Sequence, residues 1–259
     1  MSTTYVRLPV LFVAWREPDS RIFRVVGRLV AIPAEQANRF QFEFSYTAGA
    51  RIASKAGFQG LPEIGGGDDF DSVVRNEKLP LFFTEEQGSG DAFAVLDQFA
   101  TGVIQPKDDS YEVFSAPYEQ GPNAEGDSCY LLNFFIHGLR YLDVDQAKRS
   151  SELSKGETLV VSHDPVPEDP DALAIRTNDK VRVGYLPRYL APDTRLIEND
   201  PSALQIRVLE NRGKLCPPNR RVKCQLRACW PSGFRPFDLP TFQPIGDATR
   251  LFSHNSVMS

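Results

Sequence analysis

Hydrophobic and polar residues alternate strictly between Phe40 and Tyr46. Phe40, Phe42, Phe44 and Tyr46 fall on one side and Gln41, Glu43 and Ser45 on the other, the period-two signature of a strand with a core face and a wet face. Two earlier runs, Val10 to Trp15 and Phe23 to Ile32, have strand length and composition and are joined through Pro18-Asp-Ser20, so the chain up to Tyr46 reads as a meander. Gly27 interrupts the middle run, as a bulge does. The Gly-rich, acidic passage Leu61 to Asp71 lacks the Lys-Ser/Thr that follows a phosphate-cradling loop and reads as a surface loop. From Asp91 to Thr101 the period lengthens: Phe93, Leu96 and Ala100 share a face, Ser89 or Asp91 can cap, and Gly102 stands at the stop position, which predicts a helix packed on the meander.

Beyond this unit, Tyr111 to Phe114 and Cys129 to Ile136 are strand-like, with the Pro- and Gly-bearing stretch Ser115 to Asp127 between them as linker or hairpin connection. The run Thr158 to Val161 enters a segment where Pro165, Pro167 and Pro170 each remove a backbone donor and fix φ. Strand-like runs resume at Ala172 to Ile175 and Val181 to Leu186, the latter with Gly184 where a side chain would obstruct close backbone approach. After Trp230 the prolines 231, 236, 240 and 244 predict an extended strap ending in a mobile tail. The pattern is a strand-rich α+β chain in three parts: a β-meander with helices over 1–127, a β-barrel over 128–235 and an extended tail over 236–259.

At 259 residues, with 41% hydrophobic and 24% charged residues, the chain is ordinary for a globular protein able to bury its own core. No run approaches the length of a membrane span, Leu8 to Trp15 being the longest, and the N-terminus lacks the order of a secretion signal, so a soluble cytoplasmic protein without a membrane partner is expected. Cys129, Cys216, Cys224 and Cys229 include no CxxC pair and read as buried thiols rather than zinc ligands.

Charge is divided unevenly. Residues 1–133 hold 11 basic and 19 acidic side chains, net −8, and residues 134–259 hold 18 basic and 15 acidic, net +3. Arg207, Arg212, Lys214, Arg220, Arg221, Lys223 and Arg227 are opposed only by Glu210, a concentration suited to a phosphate backbone and equally to a protected strand edge. Among these, Arg220, Arg221 and Lys223 are candidate phosphate contacts. The carboxylates Asp164, Glu168, Asp169 and Asp171 beside His163 occupy a proline-fixed loop where such groups are ordinarily solvated. The histidines are 137, 163 and 254, and no G-x-S-x-G elbow is present, so a binding protein without catalytic residues, metal or cofactor is expected.

Three blocks in order carry a resemblance to a known family: His137-Gly-Leu-Arg-Tyr141, Leu153-Ser-Lys-Gly-Glu-Thr-Leu159, and His163 to Ile175 followed by Val183-Gly-Tyr-Leu-Pro-Arg188. From about Phe135 to Trp230 the chain resembles the HIRAN domain. That resemblance implies a small barrel related to the oligonucleotide-binding fold that captures the 3′-hydroxyl end of single-stranded DNA. It assigns function to Arg140, Tyr141, Asp169, Tyr185 and Arg188: Tyr141 as a stacking face, the arginines as phosphate contacts and Asp169 as acceptor for the terminal hydroxyl. The acidic loop is one residue shorter than the family's N-P-x-D-x-N-A pattern, and Glu168 stands where an aromatic is expected.

A second resemblance is carried by Val13-Ala-Trp15, Val26-Gly-Arg-Leu29, Phe42 to Tyr46, Leu79-Pro-Leu-Phe82 and Phe93 to Phe99. Residues 8–103 resemble the small N-terminal subdomain of HipA-type toxin kinases, although no catalytic loop or metal-binding Asp-Phe-Gly-like motif follows. This implies an alternative role as an interaction or antitoxin-like partner of such a kinase.

Overall fold

The structure is a computed structural model that describes residues 10–33, 40–66, 69–84, 91–120, 129–167, 169–197, 204–229 and 234–248. Its contacts define two units, one formed by residues 1–115 with 237–259 and the other by 116–236. No helix of the described residues is long and apolar enough to cross a membrane, a statement that does not extend to strands.

The first unit contains β1 (Leu11–Arg16), β2 (Phe23–Pro33), β3 (Phe40–Tyr46), α1 (Ala48–Ser54), β4 (Gly60–Leu61), β5 (Gly65–Gly66), β6 (Val73–Asn76), α2 (Ala92–Ala100) and β7 (Tyr111–Ser115). Five strands form an antiparallel sheet in the order β6-β3-β2-β1-β7, and β4 and β5 pair separately. The register of β1 on β2 shifts where Val13 faces Gly27 and Ala14 faces Val25, which places a bulge beside Gly27. The Phe44 ring lies over that glycine, and a Cβ there would sit 2.5 Å from it.

One face of the sheet holds the main core, including Val13, Leu29, Phe42 and Phe44, against which Val95, Leu96 and Phe99 of α2 are buried. The helix is capped by Asp91, whose carboxylate accepts from Phe93 N–H at 3.1 Å; Ser89 lies outside the described residues. The buried stripe is turned from the predicted one, and Phe93 instead meets the edge of Phe40 at 4.5 Å.

The predicted wet face of β3 is a correction: Glu43 and Ser45 are both 1% exposed. The reason is that the second face of the sheet is also covered. Phe12 and Phe114 stack on it at 5.6 Å, and the chain from Phe237 onward lies over them, with Phe237 meeting Phe12 edge-on at 5.3 Å and stacking on Phe242 at 4.6 Å. Glu43 is paired there with Arg75 at 2.9 Å. Arg28, fully buried, has its pKa lowered to about 10 by desolvation, partly offset by Glu43.

The described part of the predicted 236–259 tail is therefore a packing element of the first unit. Ala48 N–H donates to Gln243 O at 3.0 Å and Ile245 N–H to Tyr46 O at 2.8 Å. Pro240 opens a 3₁₀ turn and Pro244 bridges to Thr47, and Phe237, Phe242 and Ile245 supply apolar surface that a solvated tail would waste.

The second unit contains β8 (Tyr118–Gln120), β9 (Cys129–Phe135), α3 (Val144–Ser151), β10 (Thr158–His163), β11 (Leu173–Arg176), β12 (Arg182–Tyr185), α4 (Ala191–Ile197), β13 (Leu204–Asn211) and β14 (Val222–Cys229). The antiparallel order is β12-β11-β10-β13-β14-β9-β8. Strand β10 changes partner along its length, pairing with β13 at Thr158 and Leu159 and with β11 from Val160 to His163, so the sheet curls. It closes where His137, just past β9, exchanges two backbone hydrogen bonds of 2.9 Å with Tyr185 of β12. The result is a small OB-like barrel filled by Leu132, Phe134, Ile136, Leu159, Val183 and Leu226, all nearly inaccessible.

Gly184 is what permits this closure. Its φ is +145°, and a Cβ would lie 2.2 Å from Ile136 Cγ2 and 2.7 Å from His137 O, a contact that backbone cannot relieve without opening the seam.

Phe237→Ala should destabilise the protein by about 3–5 kcal/mol, the cost of deleting a fully buried ring. Urea denaturation monitored by tryptophan fluorescence measures it; a loss below about 1 kcal/mol would mean that this segment does not hold the first unit together.

Candidate nucleic-acid interface

The barrel seam continues directly into the residues that sequence reading singled out. After His137 the chain turns through Gly138, which is left-handed at φ 73°, ψ 8°, into a 3₁₀ turn, Leu139–Tyr141. Leu139 is buried and anchors the turn, whereas Arg140 is exposed and Tyr141 is 63% exposed. The Arg140 guanidinium lies 6.0 Å from the Tyr141 ring centre, at the outer limit of a cation–π contact. Asp143 then caps α3 by accepting from Gln146 N–H at 2.9 Å, which fixes where the turn ends.

Tyr185 holds this turn in place. Its ring lies against Gly138, where a Cβ would come within 2.7 Å. Its hydroxyl accepts from Arg182 Nη1 at 2.7 Å, and the same guanidinium lies 5.3 Å from the ring centre. Desolvation raises the Tyr185 pKa, against the lowering effect of Arg182. Arg182 also reaches Asp164 Oδ2 at 3.2 Å and Gln146 Oε1 at 3.3 Å. Arg176 shares Asp164 Oδ2 at 3.0 Å and donates to Ser162 Oγ at 2.9 Å. Two half-buried guanidiniums thus share one carboxylate, and Tyr185 acts as a braced support more than as an open stacking face.

The proline loop closes tightly: Val166 and Asp169 exchange backbone hydrogen bonds of 3.0 and 2.9 Å. Glu168 lies outside the described residues. Asp169 Oδ1 accepts from Asp171 N–H at 3.2 Å, and Oδ2 faces Arg188 Nε at 3.6 Å. Arg188 is on the continuation of β12, its side chain 41% exposed against 16% for Asp169. Tyr189, next in the chain, meets the edge of His137 at 6.1 Å. Seam, turn and proline loop are therefore tied to the same two strand ends.

The three basic residues chosen from 207–227 separate. Arg220 ends the 3₁₀ turn Pro218–Arg220, which packs against the turn Leu139–Tyr141. Arg221 turns inward on its own loop, donating to the carbonyls of Lys214 and Cys216 at 3.3 and 3.1 Å. Lys223 is 9% exposed on β14, opposite Phe135 and Glu210; desolvation lowers its pKa, with Glu210 raising it and Arg212 lowering it. It is the most covered of the three. Arg207 and Arg227 are exposed, each facing a glutamine across the strands.

Arg176, Arg182 and Gln146 were not selected from sequence. The available signal was the β11–β12 hairpin, whose register sets Arg176 opposite Arg182 and so demands a carboxylate between two like charges.

A family model described as the HIRAN domain matches residues 129–227. Among solved structures, a protein from Lactobacillus plantarum is similar at 20% identity over 40% of this chain and 98% of that one, with a TM-score of 0.33. The HIRAN domain of human HLTF is similar at 19% identity over 44% of this chain and 78% of that one, with a TM-score of 0.28. No curated protein matches. The HIRAN match falls wholly on the second unit, does not extend into the first, and supports nucleic-acid binding by the barrel.

Tyr185→Ala should leave the barrel folded and loosen the turn. The Tyr141 amide, bonded to Gly138 O at 2.9 Å, should then exchange with deuterium at least about tenfold faster, equivalent to about 1.4 kcal/mol. Unchanged exchange would remove Tyr185 as the support.

Proposed function

We propose that the second unit is a non-enzymatic module that binds single-stranded DNA, taking its 3′ end at the barrel seam. The observation that carries this reading is the Arg140–Tyr141 pair, held out to solvent by a buttressed turn within the HIRAN-matching residues. Tyr141 offers a broad aromatic face on which a terminal base can stack, an interaction tolerant of sequence. Arg140, Arg220 and Arg188 lie around the same seam as cationic partners for consecutive phosphates. Asp169, oriented by Arg188, accepts from the terminal 3′-hydroxyl. Asp164 acts differently, neutralising one of the two guanidiniums beneath Tyr185 and leaving the cluster with a net positive charge.

The R140A/Y141A double variant should bind a short single strand about 2–4 kcal/mol more weakly than wild type, as loss of one stacked base and one phosphate contact requires. Fluorescence anisotropy at low salt measures this, with circular dichroism showing the fold intact. Wild type that binds no single strand at low salt sinks the proposal.

A strand ending in a 3′-phosphate should bind more weakly than one ending in a hydroxyl, because it sets like charges together at Asp169. Asp169→Asn should abolish that preference. Equal or tighter binding of the phosphorylated strand by wild type would refute the role given to Asp169.

A further inference from the structure

The function proposed above leaves unused a pair of residues at the far end of the barrel: Cys129 and Cys229 stand directly opposite each other where β9 begins and β14 ends. The register between these strands runs from Phe135 and Lys223 to Cys129 and Cys229 without a bulge. One residue beyond it, Ile136 N–H donates to Val222 O at 2.9 Å. Those two residues continue the same register, so they form a hydrogen-bonded pair. Hydrogen-bonded and non-hydrogen-bonded pairs alternate along an antiparallel ladder, and Cys129 lies an odd number of residues from Ile136. Cys129 and Cys229 therefore form a non-hydrogen-bonded pair.

This phase matters chemically. Opposite residues at such positions have Cα atoms about 4.5 Å apart and share a face of the sheet, within the span of about 4.4–6.8 Å that a disulfide bridges. Asn133 and Gln225 occupy the same phase further along and are bonded side chain to side chain at 3.2 Å. Cys229 is exposed, against the sequence expectation of buried thiols. Cys224 keeps that expectation: it is buried, and burial pushes its thiol pKa up. Cys216 is half-buried, its Sγ donating to Arg220 O at 3.4 Å.

We propose that Cys129 and Cys229 are an oxidative modification site, cross-linked by exchange with a low-molecular-weight disulfide of the glutathione type. The Cys229 thiol loses its proton to solvent, and the thiolate attacks one sulfur of oxidised glutathione. One glutathione thiolate leaves. The Cys129 thiol likewise gives its proton to solvent, its thiolate attacks the Cys229 sulfur of the mixed disulfide, and the second glutathione leaves as a thiolate, the two leaving groups taking up the two protons released. Two protein thiols are oxidised and one glutathione disulfide is reduced to two thiols. The bond ties β9 to β14 and encloses a loop of about 100 residues, a size at which cross-linking strongly restricts the unfolded chain.

The test uses the full chain incubated with oxidised glutathione, trapped with iodoacetamide, digested without reduction and read by mass spectrometry. Wild type should yield the Cys129 peptide linked to the Cys229 peptide. Its unfolding temperature should rise by roughly 10 °C or more and return with dithiothreitol. Cys129→Ser should instead retain glutathione on Cys229, and Cys229→Ser should gain neither the link nor the stability. Reduced variants that melt with reduced wild type establish that they fold. The proposal is overturned if wild type also holds glutathione stably on Cys229, or if Cys229 links to Cys216 or to a second chain.

Discussion

Two backbone hydrogen bonds, exchanged between His137 and Tyr185, turn a curled sheet into a closed barrel. The candidate interface depends on them. They fix where β9 ends, and with it the first residue of the turn that presents Arg140 and Tyr141. They also fix the end of β12, from which Tyr185 reaches back under that turn and Arg188 reaches Asp169. A seam made by a single residue pair has no neighbouring rungs to share its load. It is supported instead by the absence of side chains at Gly138 and Gly184, which allows the two chain segments to touch, and by the Arg182 guanidinium, which holds the Tyr185 hydroxyl.

The charge network below Tyr185 is arranged so that no guanidinium is buried without a compensating group. Arg182 and Arg176 are about three-quarters covered, and each reaches Asp164 with further neutral acceptors at Gln146 and Ser162. Desolvating a charge this far is costly unless hydrogen bonds replace its water. The network therefore rigidifies the support of the turn, while the exposed ring of Tyr141 and guanidinium of Arg140 remain for a ligand. Rigid support and open contact residues are complementary parts of one arrangement.

Much of this was legible in the sequence because it is local. The alternation in Phe40–Tyr46, the Asp91 cap and Gly184 each announce a backbone state that neighbouring residues enforce. Arg140 and Tyr141 were found through the order of the family's motif blocks, and the structure sets them at the seam. What sequence did not show is long-range. Glu43 was assigned to solvent because alternation reports that a strand has two faces, not that a distant segment will cover the second. A run of basic residues likewise carries no information on which of them alternate inward, as Lys223 does. The pairing of Arg182 with Asp164 required the hairpin register and the curl of β10 together, and neither is encoded within a short window.

The first unit is assembled from residues on both sides of the second: its second sheet face is covered by Phe237 and Phe242, which follow the barrel in the chain. Synthesis from the N-terminus consequently reverses the usual order of maturation. When β14 has left the ribosome the barrel has every strand it needs, while the earlier-made sheet still exposes Phe12 and Phe114. The first unit is thus finished only after the second, and during that interval its uncovered aromatic face is open to the non-native contacts that a chaperone prevents.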